Sequence, residues 1–154
     1  MIESHPHICL YQPQIPQNTG AIARLAAVSQ SRLHLIAPLG FELSDKTVRR
    51  AGLDYWPYLD LELHKNFSSF ERLFSSKRFA FISKYGKRSY LEIPKSCDVI
   101  IFGQETKGLP KEIHEKYNDQ LFNLPMFHSE VRSLNLANAV SIVNYHMISQ
   151  RKLF

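Results

Sequence analysis

Val99, Ile100, Ile101 and Phe102 form a run of four apolar, mostly β-branched residues with no polar alternation. A strand apolar on both faces belongs in a parallel sheet covered by helices. Residues 8–11, 33–37 and 79–82 read the same way. Leu59, Leu61 and Leu63 instead alternate with Asp60, Glu62 and His64, which predicts a half-exposed strand near a sheet edge. Residues 120–124 supply a last strand.

Helical spacing fills the intervals. Asn18 can cap a helix that turns Ile22, Leu25, Ala26 and Val28 inward, with Arg24 near the edge of that face. Ser44 can cap a short helix carrying Val48. Residues 67–74 suit a helix with Phe70, Leu73 and Phe74 inward, and Pro110 opens another over 110–117. From Asn135 to Gln150 the apolar positions spread round the cylinder: Leu136, Val140, Val143 and Met147 on one face, Ala139, Ile142 and Tyr145 beside it. A helix so apolar must be covered on two sides. In a chain of this size the second cover predicts a homodimer through the C-terminal helix.

Alternating strands and helices with short connections give one α/β domain over residues 1–154, a mainly parallel sheet flanked by helices. Ligands gather where such strands end in polar loops. The run at 99–102 ends at Gly103 and opens into a loop with Glu105, Lys107 and Gly108 before Pro110. The run at 79–82 empties into Ser83-Lys84-Tyr85-Gly86-Lys87-Arg88-Ser89-Tyr90, bases and tyrosines around a glycine. That composition suits phosphates and unpaired bases, and equally a plain solvated loop.

Composition narrows this only a little. The 154 residues are 44% hydrophobic, 21% charged and 12% aromatic, ordinary for a globular chain. No apolar run approaches bilayer length and no signal pattern opens the chain, so a cytoplasmic protein away from membranes is expected. The net charge of +5 tilts slightly toward a polyanionic partner. Cys9 and Cys97 read as buried, reduced thiols. The seven histidines show no zinc spacing, His5 and His7 read as incidental, and no metal is predicted. Gly-x-Gly-x-x-Gly after a strand is missing and the second strand ends in Ala37-Pro38 rather than an acid, which disfavours a dinucleotide-binding domain; the Gly-x-x-x-x-Gly-Lys-Ser/Thr phosphate loop and the Gly-x-Ser-x-Gly elbow are missing too.

Three separated segments change the picture: Ile15-Pro16-Gln17-Asn18-Thr19-Gly20-Ala21-Ile22-Ala23-Arg24, Phe102-Gly103-Gln104-Glu105-Thr106-Lys107-Gly108-Leu109-Pro110 and Arg132-Ser133-Leu134-Asn135-Leu136-Ala137-Asn138-Ala139-Val140. In order and spacing they resemble the three motifs of the SPOUT RNA methyltransferases. The chain is most similar to the single-domain branch that methylates the ribose 2′-hydroxyl of the tRNA wobble nucleotide, cytidine or uridine 34. Leu33-His34-Leu35-Ile36 and Arg49-Arg50-Ala51-Gly52-Leu53-Asp54-Tyr55 fit that branch too. Lys107 stands where arginine is common and Ala137 where serine is frequent, and both keep the local character.

The resemblance implies a C-terminal trefoil knot, which no periodicity shows and which ordinary chain topology avoids. It implies S-adenosylmethionine as methyl donor, S-adenosylhomocysteine as product, no metal, and the tRNA anticodon loop as partner. It places the cofactor against Phe81, Gly103, Glu105, Leu124, Met126, Ser133 and Leu134. Arg24 becomes the key catalytic residue, with Asn18 and Asn135 beside it. As residues alone, Asn18 and Asn135 are helix caps, Glu105 orders a loop, and the cofactor positions are core or connection. A same-fold enzyme acting on another tRNA or rRNA position, or a non-catalytic RNA-binding protein of this fold, would carry the same elements.

Overall fold

A computed structural model describes residues 5–44, 46, 48, 50, 55–131 and 133–153. Seven strands form one sheet: β1 (His7–Tyr11), β2 (Leu33–Ile36), β3 (Leu61–His64), β4 (Phe79–Ile82), β5 (Arg88–Ser89), β6 (Val99–Phe102) and β7 (Leu121–Asn123). Their order across the sheet is β3-β2-β1-β6-β4-β7-β5, and every pairing is parallel. β2 and β6 are buried at every position, as runs without alternation require.

Of the helices whose bounds lie among the described residues, α1 (Pro16–Ser29) and α4 (Leu136–Gln150) cover one face, and α2 (Phe67–Glu71) and α3 (Lys111–Lys116) the other. Within β6, Ile100 and Phe102 join the cluster under α1 and α4, while Val99 and Ile101 join Phe70, Phe79, Phe81 and Tyr117 opposite. α1 and α4 are also tied by polar groups. Buried Asn144 donates to Ser29 Oγ at 3.0 Å and accepts from Ser31 Oγ at 3.2 Å. Both cysteines are free and buried.

Burial differs from expectation at several single positions. β3 is the half-exposed edge strand expected: Leu59 and Leu61 pack against the core on one face, and His64 is buried on the other beside His34. Leu63, however, is 51% exposed. Leu73 lies beyond α2 and is 58% exposed, since that helix stops at Glu71. Val28, expected inward on α1, is also exposed. On α4, Ile142 and Tyr145 stand in solvent at 41% and 42% exposure, the uncovered face that the wide apolar arc foretold. Val48 is buried, but residues 45, 47, 49 and 51–54 of the helix expected after Ser44 lie outside the described residues.

β7 lies between β4 and β5, although β4 and β5 are consecutive and joined only by residues 83–87. That connection crosses the end of β7: Ser83 N–H donates to Phe122 O at 2.9 Å, and Asn123 Nδ2 to Gly86 O at 2.6 Å. A Cβ on Gly86 would lie 2.5 Å from the carbonyl carbon of Phe122. A later strand inserted between two consecutive earlier ones, and bonded to the loop that joins them, is an arrangement consistent with the trefoil knot that the resemblance implies.

Candidate active site at the strand ends

The parallel register brings the C-terminal ends of β1, β6, β4 and β7 to one edge of the sheet. Gly103 starts the loop after β6, where a Cβ would meet the carbonyl carbon of Gly108 at 2.4 Å and the nitrogen of Leu109 at 2.5 Å. The loop closes on itself by reciprocal bonds between Gln104 and Gly108 (3.2 and 3.1 Å), with Gly108 at φ +66°. Glycine is required at 103 by backbone contact and at 108 by conformation.

Glu105 projects from this loop onto the start of α1. Its Oε1 accepts the backbone N–H of Gln14 at 3.0 Å, and its Oε2 accepts that of Ile15 at 2.8 Å and Asn18 Nδ2 at 3.3 Å. Asn18 was expected to cap α1. The cap position is instead Ile15, with Pro16 first in the helix, and Asn18 lies in the first turn, 8% exposed. Proline favours that first position because it has no N–H to leave unpaired. Freed from capping, Asn18 bridges. Its Oδ1 accepts from Asn135 Nδ2 at 3.0 Å, while Asn135 Oδ1 caps α4 by accepting from Ala137 N–H at 2.9 Å and Asn138 N–H at 3.3 Å. Glu105, Asn18 and Asn135, one from each motif segment, thus form a continuous hydrogen-bonded chain. Gln104 Nε2 adds a second tie to Gln12 Oε1 at 3.2 Å.

Arg24 is exposed and lies outside that chain. Six residues separate it from Asn18, about 9 Å along the axis and on another side of α1. Its guanidinium lies over the ring of Tyr55, 4.7 Å from the centroid, a contact no sequence pattern announced.

The other expected positions divide into two kinds. Phe81 is fully buried, its ring 4.6 Å from that of Tyr117, so its side chain serves the core. Leu124 is partly buried, whereas Met126 and Leu134 expose 42% and 40% of their surface and Ser133 is exposed. Apolar side chains left open between polar loops suit the flat faces of an adenine ring, and the cofactor implied by the resemblance fits this donor set. Arg132 lies outside the described residues. Phe127 is 97% exposed in the same connection, where His128 Nδ1 accepts Glu130 and Val131 N–H at 3.0 and 3.1 Å.

In the loop after β4, Lys84 and Lys87 are exposed, and Tyr85 is 65% exposed with Lys84 5.2 Å from its ring centroid. Arg88 is committed: it donates to Asp119 O at 2.6 Å and stacks on Phe122. Ser83 Oγ and His114 Nε2 pair at 2.8 Å.

Across β1, β2 and β3, on the face covered by α2, runs a histidine ladder. His7 Nδ1 and His34 Nε2 are 2.9 Å apart, and His34 Nδ1 and His64 Nε2 3.0 Å apart. His7 is therefore built in, not incidental. Burial, aided by the neighbouring histidines and Arg32, pushes His34 down to about 3, and burial also lowers His7 and His64. Glu62 comes within 3.8 Å of His34 and 4.0 Å of His64. Because the ring nitrogens already satisfy one another, the cluster reads as packing.

Comparison with known proteins agrees with this arrangement. Residues 5–145 match the SpoU rRNA Methylase family. A tRNA (cytidine(34)-2′-O)-methyltransferase of Methylovorus glucosotrophus is 43% identical over 140 residues, 90% of each chain. A structure described as giving structural insights into the 2-OH methylation of C/U34 on tRNA superposes with a TM-score of 0.88 at 41% identity, over 98% of this chain and 99% of that one. The SpoU methyltransferase AviRb from Streptomyces viridochromogenes, solved with its cofactor AdoMet, shares the fold at 20% identity with a TM-score of 0.84, over 97% of this chain and 59% of that one. With the family match over residues 5–145 and a relative 43% identical over 90% of each chain, the chain belongs to the SpoU rRNA methylase family.

Proposed function

We propose that the protein methylates the ribose 2′-hydroxyl of the wobble nucleotide, C34 or U34, of tRNA. The observation that carries this reading is likeness over 98% of the chain to the structure concerned with C/U34 2′-OH methylation. S-adenosylmethionine supplies a methyl group on a sulfonium. Met126, Leu134 and Leu124 take its adenine, with Ser133 and the backbone at Phe81 and Gly103 beside them.

The protein's task is to hold a poorly acidic hydroxyl in line with that methyl group and to stabilise the charge beside it. Arg24 serves the second need. A guanidinium is not deprotonated in proteins, so Arg24 is no general base; its fork holds the phosphate next to the ribose and directs the 2′-oxygen. Asn18 and Asn135, locked to Glu105, fix the start of α1 against the cofactor loops and so set where Arg24 stands.

The molecule works as a homodimer. Ile142 and Tyr145, exposed on α4, and Phe127, exposed in the connection before it, are the apolar side chains that support this. Lys84 and Lys87 contact the anticodon-loop backbone.

Mapping methylated nucleotides in tRNA incubated with the purified protein and labelled S-adenosylmethionine tests the whole reading. Label confined to nucleotide 34 is the expected result. Label at another tRNA position, or only in rRNA, reassigns the target, and no transfer despite cofactor binding favours a non-catalytic RNA-binding protein.

A further inference from the structure

Arg24 carries the one cation placed at the reacting ribose in the reading above, yet its main structural partner is neutral. Its guanidinium carbon lies 4.7 Å from the centroid of the Tyr55 ring. Among the described residues, no carboxylate pairs with it. Tyr55 is anchored from outside α1. It precedes the 3-10 turn Trp56–Tyr58, its carbonyl accepts Tyr58 N–H at 2.9 Å, and Pro57 stiffens the turn. The ring therefore sits on a braced segment, not on the helix it supports.

The choice of an aromatic partner has consequences. A carboxylate would cancel the positive charge and occupy the donor edge of the fork. A ring face attracts the flat guanidinium from one side by its quadrupole and leaves the N–H groups in the plane free to donate. Such a platform removes the side chain's rotational freedom without using up its charge.

We propose that Tyr55 is the positioning residue for Arg24, holding the guanidinium flat on its ring so that both charge and fork reach the substrate phosphate. This inference rests on the role of Arg24 proposed above.

The test is kinetic, on the full chain with tRNA. Tyr55→Leu removes the ring and should lower kcat about tenfold, the cost of a loosened catalytic group. The affinity for S-adenosylmethionine should stay within about twofold, because the ring touches Arg24 and not the cofactor loops. Tyr55→Phe keeps the face and loses only the hydroxyl, so it should recover most of kcat. A Tyr55→Leu variant with wild-type kcat overturns the proposal, as does a Tyr55→Phe variant as impaired as Tyr55→Leu. Loss of cofactor affinity together with kcat in Tyr55→Leu shows a merely structural role and also overturns it. Arg24→Ala measured in parallel separates the two claims. If Arg24→Ala is fully active, the reading of Arg24 fails; if it is inactive while Tyr55→Leu is fully active, only the tyrosine's role fails.

Discussion

Oε2 of Glu105 accepts the backbone N–H of Ile15 at 2.8 Å, so the start of α1 is capped by a loop 90 residues further along the chain. Ile15 has no side chain able to do this for itself. Glu105→Ala leaves the N–H groups of Gln14 and Ile15 to water and should cost about 1 kcal/mol of stability. Activity should fall further than stability, because the same carboxylate orders Asn18 and, through it, Asn135. Urea denaturation paired with methyl-transfer rates measures both, and Glu105→Gln should fall between wild type and alanine.

How far the chain could be read depended on where each residue's partner lay. β4 and β6 were legible to the residue, because four apolar positions buried on both faces leave no second solution. Asn135 was legible as a cap because its partners are the next turn. Asn18 was not, since Pro16 displaced the helix start and its partners lie 87 and 117 residues away. β3 was legible as a half-exposed edge strand, but the burial of His64 against His34 and Phe70 was not, since its partners lie on other elements. The motif segments marked the site only through likeness to a family. Tyr55 was legible only as the end of a segment that fits the family branch; its contact with Arg24 has no pattern until the ring is seen under the guanidinium.

Arg24→Ala should abolish methyl transfer while leaving affinity for S-adenosylmethionine near wild type. The side chain is exposed, so little stability should be lost. Single-turnover transfer measures the first and calorimetric titration the second; turnover retained in the variant would remove Arg24 from the chemistry.

Two glycines of the same loop should respond differently to one methyl group. Gly103→Ala drives a Cβ to 2.4 Å from backbone that has no flexible end to yield, and should cost about 2–3 kcal/mol. Gly108→Ala meets nothing within 4 Å and pays only for φ +66°, about 1 kcal/mol. Equal losses in denaturant titrations would show that the loop relaxes around Gly103.

The histidine ladder predicts an acid-sensitive fold. His34 is held near 3 in the folded state against an unfolded value of 6.5. Between those values the unfolded chain binds the extra proton, so stability is whole above pH 6.5 and falls as pH drops toward 3. One such proton gives a slope approaching 1.4 kcal/mol per pH unit. His7 and His64 shift in the same direction and steepen it. His34→Gln should lower stability at pH 7 but flatten its decline between pH 6 and 4.5, measured as urea midpoints across that range.

The loop after β4 divides its cations by geometry. Lys84 and Lys87 point to solvent, whereas Arg88 is held by Asp119 O and the Phe122 ring. Each phosphate contact to a single strand contributes about 0.7 to the slope of log K against log salt. Lys84→Ala with Lys87→Ala should therefore reduce the salt slope of tRNA binding by about 1.4, twice that single-contact value, with little change in melting temperature. Arg88→Ala should reverse the pattern, lowering the melting temperature and leaving the salt slope nearly intact. If Arg88→Ala flattens the slope as much as the lysine pair does, the guanidinium leaves Asp119 when RNA binds.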